Sequence, residues 1–513
     1  MALPATGWEP GKTASHLLNR LAFGASPADR QRLLDVGPEQ WVGEQLVTAP
    51  DDALEARLDR YPAARLTVAE AYARFPPLAE LFKQFKLDKD DERDKDRLRA
   101  MVGKENLPRE LILEATGAKL TRAVWSKNQL EEVLVDFWFN HFNVSAEKGR
   151  VRWMFAAYER EAIRPFVFGK FEDMLLATAR HPAMLFYLDN WLSAREGFNL
   201  KEVRELRRSR LVKGKDTRLG LNENYARELL ELHTLGVNAG YTQDDVREAA
   251  RSLTGWSIEL RRLDDDFGEF AYRDVMHDKG EKNVFGLRLA PGGRMDDGAA
   301  LLGYLAHHPK TAEFIALKLC RKFVADDAPA ACVARASSEF LRTGGDLKAT
   351  YLAIITSPEF WSEGAFAQKT KTPLEFVASA IRATADLQEV SLPLGRALNT
   401  LGQPLYRAQP PTGWPETADA WVNAGALVTR INFGLSLARG QLRGAVPVLP
   451  AAEANVDATI DRVARSILGG PPSASTRATL HRALEPKEEN ATMEPDVALI
   501  AGLLVGSPEF QKQ

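Results

Sequence analysis

The sequence predicts a mainly α-helical protein, a large multi-helix orthogonal bundle with a small β-hairpin or flap near residues 258–289. Two observations carry this expectation. Apolar residues recur at three- and four-residue spacing through most of the chain, bounded by capping residues and by Gly or Pro stops. Short alternating runs such as FGEFAY and KNVFG are confined to the stretch from Ile258 to Leu289. With 513 residues, 45% of them hydrophobic, the chain has material for a substantial core. It reads as one large helical domain over 1–513, with a charged segment at 83–110 and a helical C-terminal subregion from about 311.

Taken in order, HLLNRLAF (16–23) is a short helix stopped at Gly24. Ser26, Pro27 and Asp29 then supply an N-cap, a proline at the first helical position and an acidic first turn. From Ala53 to about Leu87 the pattern is helical, broken at Pro62 and at Pro76-Pro77. Lys83 to Arg99 interleaves both signs of charge, which suits a solvated helix or a mobile connection. In the helix from Lys127 to His141, Leu130, Val133, Leu134, Phe137, Trp138 and His141 share one face, so an imidazole enters the core and must meet a polar partner. Helices follow at 151–166 and 171–179, then a highly charged surface stretch at 195–218. Beyond the flap, helices resume from Asp297 and run past Gln441, interrupted by a proline-rich loop ending in Gly413-Trp414-Pro415.

The densest polar chemistry lies in residues 221–256, which read as a helical hairpin. Asn222 opens its first helix and Gly236 stops it; Thr242 and Asp245 form a capping box for the second, which Gly255 closes. Glu228 and Glu231 lie on one helix face, whereas His233 lies roughly 140° or more around the axis. No single helix therefore presents all three to one ligand. The carboxylates are either neutralised, Arg227 reaching Glu231 at i,i+4, or part of an inward-facing carboxylate site. His277 and Asp278, in a loop closed by Gly280, suit an acid/base or metal-ligand role, with Asp278 fixing the imidazole tautomer. The alternative is a turn that Asp278 caps. Candidate catalytic residues are thus His277, Asp278, Glu228 and Glu231. Candidate ligands for a divalent metal are His141, His233 and His277.

Other classes find no support. The net charge of −3 gives no field for nucleic acid or an anionic membrane. The apolar run Val497–Val505 is too short to span a bilayer. The first residues lack an export signal, so a soluble, cytoplasmic protein is the default expectation. Two cysteines, Cys320 and Cys332, exclude a disulfide scaffold or a multi-cysteine metal cluster. GxSxG, GxxxxGK[ST], GxGxxG and HExxH are all missing.

Several segments together resemble the bacterial domain of unknown function 1800 family. They include LLNRLAFGAS (17–26), NQLEEVLVDFWFNHFNV (128–144), YARELLELHTLGVNAGYTQDDVREAARSLTGW (225–256) and PPTGWPETADAWVNAGALVTRINF (410–433). The resemblance implies a mostly helical protein, often exported, with a co-encoded sulfatase-like partner, and brings no mechanism with it. It also implies a histidine where this chain has Phe139. Two functions remain in view. One is a metal-assisted or acid/base hydrolase built on the 225–256 hairpin and the 277–280 loop. The other is a non-catalytic helical binding or assembly protein acting with the partner.

Overall fold

A computed structural model of the protein describes residues 2–199, 219–259, 268–485 and 494–513. The charged stretch at 200–218 and the middle of the expected flap, 260–267, lie outside the described residues. The architecture is mainly α, with three two-stranded antiparallel sheets among the described residues. A continuous apolar core runs from Ala14 near the start to Phe510 near the end.

Local chemistry sets the helix ends. Ser26 accepts from the Asp29 amide, and reciprocal capping boxes start helices at Thr67, Thr242 and Thr372. The charged segment holds the helix Glu92–Val102, whose Glu92–Lys95 and Asp96–Arg99 pairs face water. Gly434 and Gly502 let the helices Ala424–Ala438 and Val497–Val505 touch backbone to backbone: a Cβ on Gly434 would stand 2.7 Å from the Gly502 carbonyl oxygen. No helix among the described residues is long and apolar enough to cross a membrane.

The flap resolves into two hairpins. Trp256–Ile258 pairs with Phe270–Tyr272, and Lys282–Val284 pairs with Leu287–Leu289 across the two-residue turn Phe285-Gly286. Both turn residues have positive φ, which matches the twist of a tight hairpin. A third pair, Ala385–Leu387 with Ala445–Pro447, interrupts the helices expected beyond the flap and follows directly on the helix Pro373–Thr384. The helix ends at Thr384 because the chain turns extended to meet a strand far away in sequence, a contact that local periodicity does not encode. The expected helix at 151–166 is likewise broken into short turns, with a π-helical turn at Glu159–Ile163. A second π-helical turn, Leu229–His233, ends the first helix of the central hairpin. Cys320 and Cys332 form a single buried disulfide joining the helices Pro309–Phe323 and Ala330–Arg342.

Candidate functional site

The helix Arg109–Trp125 enters the core with Lys119 on a face of small residues, Ala115 and Ala118. Burying an ammonium is unfavourable unless carboxylates receive it. Here two do: Nζ stands 2.9 Å from Asp136 Oδ1 and 3.1 Å from Glu159 Oε2. Burial alone would lower the Lys119 ammonium, but these two carboxylates outweigh it and raise it. Asp136 comes from the helix Gln129–His141 and Glu159 from the π-helical turn at 159–163.

Two further lysines approach the same space. Lys322 Nζ donates to Glu375 Oε1 at 2.6 Å, while Glu375 Oε2 accepts from the Thr372 amide at 2.8 Å as the return half of a capping box. Burial would raise the Glu375 carboxyl; Lys322 and the Thr372 amide outweigh it and hold it down to about 2. Lys369 pairs with Asp326, and Lys318 reaches Glu416 at 3.1 Å. Together Lys119, Lys322, Lys369, Asp136, Glu375 and Glu416 line one cleft of about 750 Å³, open in part to solvent.

Aromatic groups close the cleft, and the Gly413-Trp414-Pro415 loop is clamped to its edge. Asn140 Nδ2 donates to the Trp414 carbonyl at 2.9 Å and Asn140 Oδ1 accepts from the Trp414 amide at 2.7 Å. Gly413 makes this approach possible, having φ of +71° and Asn140 atoms where a Cβ would be. Phe139 and Tyr406 form the back wall, their rings 5.2 Å apart. Tyr406 is held at φ +62°, an uncommon conformation for a bulky residue. Phe139 thus stands on the cleft wall with Lys119 5.3 Å from its ring, so this chain has an apolar face where the resemblance implies an imidazole.

The residues singled out from sequence fall into three separate places. His277 and Asp278 belong to a structural knot below the hairpins. His277 Nδ1 donates to the Thr254 carbonyl at 2.8 Å, and Nε2 stands 3.2 Å from Asp297 Oδ2, which also accepts from Lys282 at 2.7 Å. Asp297, not the adjacent Asp278, is therefore the carboxylate that faces the imidazole. Asp278 instead takes a bidentate pair from Arg251 at 2.9 and 3.0 Å and caps Gly280. The His277 ring is fully enclosed.

His141 and His233 are brought together, ring centroids 6.2 Å apart, with His141 Nε2 3.1 Å from the His233 carbonyl. His141 Nδ1 and His233 Nε2 have no hydrogen-bond partner among the described residues. Burial, reinforced by the nearby Lys318 ammonium, keeps both rings from protonating and holds His233 down to about 3. A neighbouring ammonium and the lack of a carboxylate fit a divalent ion poorly, since buried cations need charge compensation. Among the described residues no three His, Cys, Asp or Glu side chains gather in a metal-holding arrangement.

Glu228 and Glu231 share a half-buried flank of the hairpin. Glu231 accepts from the Tyr241 hydroxyl at 3.3 Å, and Arg227 turns to Glu223 at 3.6 Å rather than to Glu231. Burial and then the Glu231 charge raise the Glu228 carboxyl.

Sequence reasoning missed the lysines of the cleft. One signal was available: Lys119 is the sole charge in the run ATGAKLT, a helical stretch too apolar to be a surface. The pairing of Lys322 with Glu375 joins segments too distant for any spacing rule to connect.

No curated protein and no solved structure matches the chain. Two of the segments that form the cleft, 128–144 and 410–433, carry motifs of a known family, and the match extends far beyond them. Over residues 16–512 the chain belongs to the family described as Protein of unknown function (DUF1800).

Proposed function

We propose that the protein binds a small polar molecule in the lysine- and carboxylate-lined cleft and acts on it by acid/base, hydrolase-type chemistry. One observation carries this reading: several buried ion pairs converge on the wall of a single cleft. Replacing such pairs by apolar residues is commonly neutral or stabilising, so packing gives no reason to concentrate them there. Chemistry on a bound molecule does. Asp136, its side chain 22% exposed, is the more reachable carboxylate and serves as the base toward a water or a ligand hydroxyl. Lys119 and Lys322 stabilise an oxygen that gains negative charge. Trp414 supplies an apolar face for the rest of the molecule.

The test compares wild type with Asp136→Asn on p-nitrophenyl acetate, phosphate and β-glucoside. Turnover of one of these that falls at least about 100-fold in the variant, with unfolding unchanged, supports the reading. Equal rates in both proteins, including no turnover in either, sink it.

A second reading has one observation behind it. Val422, Leu427 and Val428 are exposed just beyond the cleft loop. Such a patch suits a docking face for a co-encoded sulfatase-like partner in a non-catalytic assembly. Co-expression of the two chains, with and without Val428→Glu, separates it from the first reading.

A further inference from the structure

A second cavity lies behind the back wall of the cleft, sharing Lys119 and Tyr406 with it. It is a recess of about 560 Å³, the open solvent at its mouth included. Five basic side chains line it, Arg65, Lys119, Arg122, Arg160 and Arg164, against a single lining carboxylate, Glu159. The π-helical turn at 159–163 contributes Glu159 and Arg160 to the wall and leads into Arg164, and such turns recur at functional sites.

Four of the five cations have spent their donors on the protein. Arg164 holds Glu132 in a bidentate pair at 2.8 Å for each bond. Arg160 donates to the Ala64 and Leu66 carbonyls at 3.1 and 3.2 Å. Arg65 holds Asp59 at 2.6 Å and Glu55 at 2.8 Å, and Lys119 is shared between Asp136 and Glu159.

Arg122 is different. Its nearest carboxylate oxygens, on Glu55 and Glu132, stand at 3.6 and 3.9 Å, beyond hydrogen-bond reach. Both carboxylates are already committed, to Arg65 and to Arg164. Among the described residues the Arg122 guanidinium makes no hydrogen bond, although its side chain is only 23% exposed. Also lining the cavity is Tyr61, whose buried hydroxyl accepts from the Val390 amide at 2.8 Å and from Thr121 at 3.4 Å, so its own proton remains to be donated. The cavity therefore offers unspent donors and few unspent acceptors.

We propose that this second cavity is a binding site for an oxyanion, the carboxylate or phosphate group of a small metabolite, held by the Arg122 guanidinium with the Tyr61 hydroxyl in support. A planar fork of N–H donors matches two oxygens of either group, and charge-assisted pairs of this kind are the strong ones. The site is independent of the chemistry assigned to the first cleft.

Isothermal titration calorimetry at low salt, with inorganic phosphate and with citrate as probes, tests it on the full chain. Saturable binding at one site is expected for at least one probe, and which one identifies the group. Arg122→Gln weakens that binding about 10- to 100-fold. Arg122→Lys keeps the charge, guards against a folding artefact and still weakens binding, because the fork is lost. No heat from either probe, or affinity unchanged in both variants, overturns the proposal.

Discussion

Lys322 Nζ and Glu375 Oε1 meet at 2.6 Å inside the wall of the cleft, and neither side chain is more than 16% exposed. Removing one partner leaves the other charge buried, which typically costs about 3–5 kcal/mol. Lys322→Met alone is therefore expected to destabilise by about that amount in urea unfolding. In Lys322→Met with Glu375→Gln the buried charge is gone, and glutamine can keep the capping bond to Thr372. The double variant should recover most of the loss while losing the function of the cleft. A double variant as unstable as the single would show that the pair is retained for stability.

Gly413 is expected to be the least replaceable residue of the cleft edge. Its Cβ would stand 2.4 Å from Asn140 Oδ1 and 2.6 Å from the Asn140 carbonyl oxygen, at a φ that side chains disfavour. Gly413→Ala should break the reciprocal Asn140–Trp414 bonds and release Trp414 from the cleft. The readout is a change in tryptophan emission with a stability loss of about 1–3 kcal/mol. An unchanged spectrum would mean that the clamp does not hold the ring.

The disulfide between Cys320 and Cys332 ties the helix that carries Lys318 and Lys322 to its neighbour. With 12 residues of separation, loop closure predicts a stabilisation of about 3 kcal/mol. Cys332→Ser should lower stability by that order and make it insensitive to dithiothreitol, whereas the wild type should lose stability on reduction. A wild type indifferent to the reductant would show that the bond adds nothing.

Much of this fold was legible because it is local. The box at Thr242 and Asp245, the cap at Ser26 and the strands within 256–289, expected as one small hairpin and found as two, each rest on contacts a few residues apart or on short alternation. The site was less legible because its geometry is not local. His277 looked like a loop residue poised for chemistry, and nothing near it announced that Asp297 and Lys282 would close over its ring. His141 was expected in the core beside something polar, and it meets the His233 carbonyl. Its partner's identity depended on the π-helical turn at 229–233, which rotates His233 in a way that a regular 3.6-residue count does not describe.

These buried histidines set an expected pH dependence. His16 and His233 are each held down to about 3, in both cases chiefly by burial, and His141 is lowered well below the usual value for the same reason. An unfolded histidine titrates near 6.5, so as pH falls below that value the unfolded chain takes up protons that the folded chain refuses. Stability is thus fully present above about pH 6.5 and is lost on acidification, with a slope of up to about 1.4 kcal/mol per pH unit for each ring. Glu375 adds to the decline only lower, as pH falls from the ordinary carboxylate range toward 2. Urea midpoints at pH 7, 6 and 5 should therefore fall above the range in which Glu375 contributes. His233→Gln should flatten that slope by about one ring's share, because glutamine carries no titrating group. A midpoint that stays level from pH 7 to 5 in the wild type would mean that these rings find protons in the folded protein after all.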